Sequence, residues 1–167
     1  MSPPAGLTPR GPLEAPGGYC GPMRGLIESV PNFSEGRDGP TLDAIRRALA
    51  EHARVLDVHA DADHNRSVFT CVGTAAGLVD GLAAAVAVAA DRIDLRRHEG
   101  VHPRVGAADV VPLVRFRAGD AEPEHAARLL GERVGALGIP VLGYGDLGGG
   151  RRPAFFRAGG PGALAAR

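Results

Sequence analysis

Short β-branched runs alternate with helix-spaced apolar stretches along this chain in one order, β-α-β-β-α-β and then α-β. Few folds accommodate that order. Gly25-Leu26-Ile27-Glu28-Ser29-Val30 predicts a first strand closed by Pro31. Leu42, Ile45 and Leu49 mark one face of a helix opened near Pro40-Thr41. Val55 to Val58 and Ser67 to Val72 read as two further strands. Gly73-Thr74 then opens the longest helix, with Leu78, Leu82, Val86, Ala89 and Ile93 at helical spacing. A strand over 110–114 follows, and Pro112 removes one ladder donor from it. Ala126, Leu129, Leu130, Val134 and Leu137 predict a third helix stopped by Gly138, and 139–144 a fifth strand. The expected architecture is an α/β (α+β) ferredoxin-like split βαβ sheet with helices packed on one face, plus an extra α-β unit. Such a sheet leaves its second face open for a ligand or another layer.

At 167 residues the chain is expected to form one domain, over 25–160. Residues 1–24 carry many Pro and Gly and almost nothing apolar, so they are expected to be a disordered leader, with Met23 as an alternative start. Residues 161–167 are expected to be a flexible tail, and the stretch after Tyr144 to be weakly structured. Net charge is zero, which gives no electrostatic argument for nucleic acid or an acidic membrane surface. The Ala-rich run 75–90 is interrupted by Asp80 and reads as a buried helix rather than a membrane span. Cys20 and Cys71 sit in dissimilar contexts, so reduced thiols and a cytoplasmic location are expected.

Polar chemistry concentrates in three loops, 32–39, 59–66 and 97–106. The third is the densest: Arg97-His98-Glu99-Gly100-Val101-His102-Pro103-Arg104-Val105-Gly106. Pro103 biases His102 to an extended backbone, and Arg104 two residues on would share its side. A histidine and an arginine so placed suit an anionic substrate that also needs a proton moved. Gly100 and Pro103 argue against a continuous helix bringing His98 and His102 to one metal. The second loop, with His59, Asp61, Asp63 and His64, reads as an Asx-rich turn or a metal cluster; it lacks the glycine and terminal glutamate of a calcium loop. Asn65 and Arg66, at a strand entrance, are candidates for substrate contact. No phosphate-binding or dinucleotide fingerprint is present, and no nucleophile–base pair is evident.

Three segments together, Val30-Pro31-Asn32-Phe33-Ser34-Glu35-Gly36, then 63–70 (DHNRSVFT), then 97–110 (RHEGVHPRVGAADV), closely resemble the formiminotransferase N-terminal subdomain. That family includes glutamate formiminotransferase and the transferase half of formiminotransferase-cyclodeaminase. The resemblance runs from about Met23 to about residue 160. It implies a ferredoxin-like fold and transfer of a formimino group from N-formimino-L-glutamate to tetrahydrofolate, which is a co-substrate; no metal or nucleotide is implied. It also implies that His102, in the His-Pro-Arg triplet, is the catalytic acid–base residue. Motif position suggests Asn32, Ser34, Asn65, Arg66 and Arg104 as substrate-binding residues. Two departures stand out: Val101 replaces the family's usual acidic residue beside the triplet, and His59 an acidic residue of some relatives.

In the full transferases a second subdomain follows and the folate lies between the halves. The resemblance therefore implies that a separately encoded C-terminal subdomain or self-association completes the groove. Two alternatives remain: a non-catalytic module binding folate-like or anionic ligands, and a metal-dependent hydrolase using His59, Asp61, His64 and His102.

Overall fold

The computed structural model describes residues 25–101, 103–115 and 123–158. The leader over 1–24, the tail over 161–167 and His102 lie outside the described residues.

Proline breaks two of the strands without breaking the sheet. The first strand runs as β1 (Leu26–Ser29), then Val30-Pro31, then β2 (Asn32–Phe33). The second and third are β3 (Arg54–Asp61) and β4 (Arg66–Thr74). The last is interrupted at Val111-Pro112 into β5 (Ala108–Val110) and β6 (Leu113–Arg115). A proline carries no N–H, so ladder bonding stops there and the chain bends. The freed carbonyls are re-used: Phe69 N donates to Pro31 O at 3.0 Å and Ser29 Oγ to Pro112 O at 2.6 Å.

Both β1 and β2 pair with one edge of β4, from Leu26↔Thr74 to Phe33↔Ser67. On their other side, β6 pairs with β1 and β5 with β2. The remaining edge of β4 takes β3. With each broken pair counted as one strand, the antiparallel order is β3, β4, β1/β2, β5/β6. This is the expected split βαβ sheet, with the first strand between the third and the fourth.

Helices α1 (Gly39–Ala50) and α2 (Ala75–Arg92) cover one face. Pro40 starts α1, which buries Thr41, Ile45 and Leu49 at four-residue spacing. Thr74 caps α2, its Oγ1 accepting from Gly77 N at 3.2 Å. A methyl group on Gly77 would stand 2.5 Å from His52 O, so glycine there lets α2 approach the end of α1 closely. The core joins Ile27, Phe33, Phe69 and Cys71 of the sheet to Ile45, Leu49, Leu78, Leu82 and Ala85 of the helices. Phe33 and Phe69 meet edge to face at 5.4 Å between ring centres. Helix α3 (Pro123–Ala136) packs on α2 and β6 through Ala126, Leu130 and Val134. Among the described residues no helix is long and apolar enough to cross a membrane.

Several expectations need correction. The polar loops are shorter than composition suggests: Asn32-Phe33 and His59 to Asp61 are strand residues, because backbone pairing to β4 continues beneath their polar side chains. Residues 139–144, expected as a fifth strand, pair with no strand among the described residues. They pass beside α3, where Gly131 faces Val141, and lead into a turn at 145–151 rather than onto a sheet edge. Part of the stretch expected to be weakly structured forms a short helix, α4 (Pro153–Arg157), seated through the buried Phe156.

The helix-covered face of β4 carries Ser67, Phe69 and Cys71, all buried. Alternation places Arg66, Val68, Thr70 and Val72 on the opposite, uncovered face.

Candidate active site

The β3–β4 turn is the anchor for the other two polar loops. Asp61 closes the turn: its Oδ1 accepts from Asp63 N and His64 N, each at 2.9 Å, and its Oδ2 lies 2.8 Å from His64 Nδ1. The His64 backbone N–H, and then its side chain, hold the Asp61 carboxyl below the usual carboxylate range. Asn65 completes the turn at φ 46°, a left-handed conformation that asparagine tolerates better than most residues.

From that position Asn65 fastens both neighbouring loops. Its Oδ1 accepts from Gly36 N at 2.9 Å and its Nδ2 donates to Glu99 O at 3.0 Å. His98 Nε2 lies 3.0 Å from Asn65 O, a carbonyl to which it donates. Two glycines permit this proximity. A β-carbon on Gly36 would stand 2.2 Å from Asp61 O, and one on Gly100 would stand 2.4 Å from His64 O. Arg37 Nε adds a bond to Ala62 O at 2.7 Å. Ser34 joins the first loop to the third segment directly, donating from N to Ala107 O and from Oγ to Gly106 O, both at 2.8 Å.

The cations converge on the same place. Arg66 reaches across from β4 to donate to Asn32 Oδ1, while Asn32 Nδ2 is fixed on Val30 O at 2.8 Å. Burial pulls the Arg66 guanidinium below its ordinary value; Asp109 counters this and Arg157 adds to it. Arg104 folds back over its own loop, donating to His98 O at 3.2 Å and Gly100 O at 2.8 Å. Asp109 is buried beneath them, accepting from Val105 N at 2.7 Å and from Arg157.

Two spaces result. A cavity of about 10 Å³, room for about one water, is lined by Ser34, His64, Asn65, Arg66, Arg104 and Asp109. Next to it an open groove of about 290 Å³ runs over the uncovered sheet face, lined by Asn32, His59, Asp61, His64, Arg66 and Val68. The five described candidates from the sequence, Asn32, Ser34, Asn65, Arg66 and Arg104, therefore gather at one place. The sixth, His102, lies outside the described residues, between Val101 and Pro103. The amides of Asn32 and Asn65 and the Ser34 hydroxyl are engaged with the protein itself, which suits them to shaping the site. Among the described residues no group of three or more His, Cys, Asp or Glu side chains is placed to hold a metal ion.

Sequence reasoning missed Asp109 and Arg157 as site residues. A lone carboxylate between Ala107-Ala108 and Val110-Val111 was a usable signal for Asp109. Arg157 carried none, since its partner is 48 residues away.

Residues 26–153 match the model of the formiminotransferase domain, N-terminal subdomain. The chain belongs to this family. This formiminotransferase subdomain is 47% identical over 127 residues to a glutamate formimidoyltransferase of Thermoplasma acidophilum, covering 72% of the chain and 41% of that relative. Over 128 residues it is 41% identical to a formimidoyltransferase-cyclodeaminase of Gallus gallus, covering 74% of the chain and 24% of the relative. A glutamate formimidoyltransferase of Streptococcus pyogenes is 37% identical over 128 residues, with 74% of the chain and 43% of the relative covered. The subdomain thus spans about two fifths of the glutamate formimidoyltransferases it matches and about a quarter of the bifunctional relative.

Proposed function

We propose that this chain forms the N-terminal half of a site that transfers a formimino group from N-formimino-L-glutamate to tetrahydrofolate. The observation that carries the reading is the meeting of three polar loops around Asn65, beside a groove and its adjoining cavity, in a chain whose relatives are named formimidoyltransferases. Glutamate and the folate tail both present carboxylates. Arg66, at the groove's floor, and Arg104, in the adjoining cavity, suit them as charge-assisted donors. Asn32, Ser34 and Asn65 set the positions of those cations and of the loops that carry them.

Catalysis requires an amine of the folate to attack the amidine carbon and lose a proton, and the departing glutamate nitrogen to gain one. An imidazole with an ordinary pKa near 6.5 can do both close to neutrality, and His102 is the residue assigned to it. Positioned acid–base help of this kind is worth about 10²–10⁴-fold in rate. The open sheet face provides one wall of the groove. A second subdomain, in the same polypeptide or another, is the natural source of the opposite wall, in keeping with the greater length of the relatives.

The test is direct. The protein is incubated with formiminoglutamate and tetrahydrofolate, alone and with a C-terminal subdomain added. The expected result is 5-formiminotetrahydrofolate formation that disappears in His102→Gln. Folate binding without turnover in either condition would mark the chain as a binding module instead.

A further inference from the structure

The reaction proposed above moves two protons, and a second imidazole stands in the same site. His64 and Arg66 are the two residues that line both the groove and the small cavity. The His64 ring is oriented by Asp61, whose Oδ2 lies 2.8 Å from Nδ1. Asp61 is itself immobilised, because its other oxygen accepts two backbone N–H groups of the turn. An ionised carboxylate only accepts, so Nδ1 carries the hydrogen of this contact and Nε2 is the ring nitrogen that Asp61 does not use. A carboxylate that fixes the tautomer of an imidazole at the edge of a groove is the arrangement general-base catalysis uses. The side chain is about half exposed (49%), so its proton can exchange with solvent. The charged and titratable groups that share the two spaces with it are His59 and Asp61 from β3, Arg66 from β4, and Arg104 and Asp109 from the segment after His98.

We propose that His64 is a second catalytic residue of this site and that Asp61 is its positioning residue. The inference rests on the formimino-transfer reading. As the bond between the folate N5 and the amidine carbon forms, the N5 proton passes to His64 Nε2 and the C=N electron pair moves onto the imino nitrogen. When that pair re-forms the C=N bond, the bond from carbon to the glutamate nitrogen breaks and His102 protonates the departing nitrogen. His64 then releases its proton to solvent and His102 regains one, so no net proton is produced. Dividing the work removes the need for one ring to reach both nitrogens.

The experiment measures kcat, KM and the pH profile of formimino transfer, with any required C-terminal subdomain present, for wild type, His64→Gln, His64→Ala and Asp61→Asn. His64→Gln is expected to lower kcat about 100-fold with KM within about threefold, and to abolish the acidic limb of the profile. Added imidazole is expected to restore part of the activity of His64→Ala. Asp61→Asn keeps an oxygen for the turn, and is expected to lower kcat and displace the same limb. Wild-type turnover with an indifferent His64→Gln, or a loss confined to KM, overturns this inference and leaves formimino transfer standing. If His64→Gln does not fold, Asp61→Asn decides by the same criteria. A wild type that transfers nothing in any condition overturns the formimino-transfer reading, and this inference with it.

Discussion

Arg157 of α4 donates to Asp109 Oδ2, and the other oxygen of that carboxylate accepts from Val105 N. One buried acid thereby joins the last described helix to the turn that follows the His-Pro-Arg triplet. The Asp109 side chain is only 3% exposed, and Arg157 pairs with it. The short α4 thus reaches the candidate site through Arg157, while its buried Phe156 seats the helix.

Removing Arg157 should leave the buried Asp109 carboxylate without the guanidinium that pairs with it. Breaking a fully buried pair costs about 3–5 kcal/mol. Since 18% of the Arg157 side chain remains exposed, Arg157→Ala is expected to cost roughly 2–3 kcal/mol, read from urea unfolding. The double variant Asp109→Asn/Arg157→Ala should cost less than the sum of its parts, because the two residues share one interaction. Strict additivity would contradict the coupling.

Asn65 combines a left-handed backbone with an amide used at both ends. Asn65→Ala loses two hydrogen bonds, each worth about 1 kcal/mol, and places a methyl-bearing residue at positive φ for roughly 1 kcal/mol more. Asn65→Gly loses the same bonds without the steric cost. Alanine is therefore expected to be the more damaging substitution, by about 1 kcal/mol, and the reverse ranking would remove the backbone argument.

Gly36 and Gly100 are close-approach positions, since the groups facing their missing β-carbons are backbone carbonyls that cannot swing away. Gly36→Ala and Gly100→Ala should each destabilise by about 1–3 kcal/mol and loosen the loops around Asn65. Gly39, at the start of α1, has nothing within 4 Å of its added β-carbon. Gly39→Ala is expected to be neutral or to stabilise by up to about 1 kcal/mol. Equal melting temperatures for all three variants would show that the loops do not pack as described.

What the sequence revealed follows from how local each signal is. Ile45 and Leu49, or Leu78, Leu82 and Val86, announce their helices because the buried face repeats within one element. The strand order followed from the alternation of elements, and three motifs located the loops that meet at Asn65. Other features depend on partners far along the chain. His59 to Asp61 look like a loop by composition but are strand because β4 pairs with them. Val141 and Leu142 have strand propensity, yet among the described residues no strand pairs with them, and both remain exposed. Arg157 cannot be matched to Asp109 from spacing at all. Asn65 was legible as a strand-entrance residue, but the engagement of both ends of its amide was not.

Cys71 offers a check on the core that is independent of the site. Its side chain is fully buried beneath α2, with Sγ 3.5 Å from Ser29 O. Burial, with a smaller contribution from Glu28, raises the thiol from its ordinary 9.0 to about 11. At pH 8 it should react with a thiol reagent far more slowly than an unfolded cysteine, both because it is protonated and because it is inaccessible. In a Cys20→Ser background Cys71 is the remaining thiol, so the measurement is unambiguous. The stability consequence has a definite sign. Between about pH 9 and 11 the unfolded chain has released this proton while the folded chain retains it, so stability falls as pH rises through that window. Cys71→Ser/Cys20→Ser, lacking the titrating thiol, should show a shallower decline over the same window. Rapid labelling of native Cys71 at pH 8, or identical slopes for the two proteins, would contradict the buried placement.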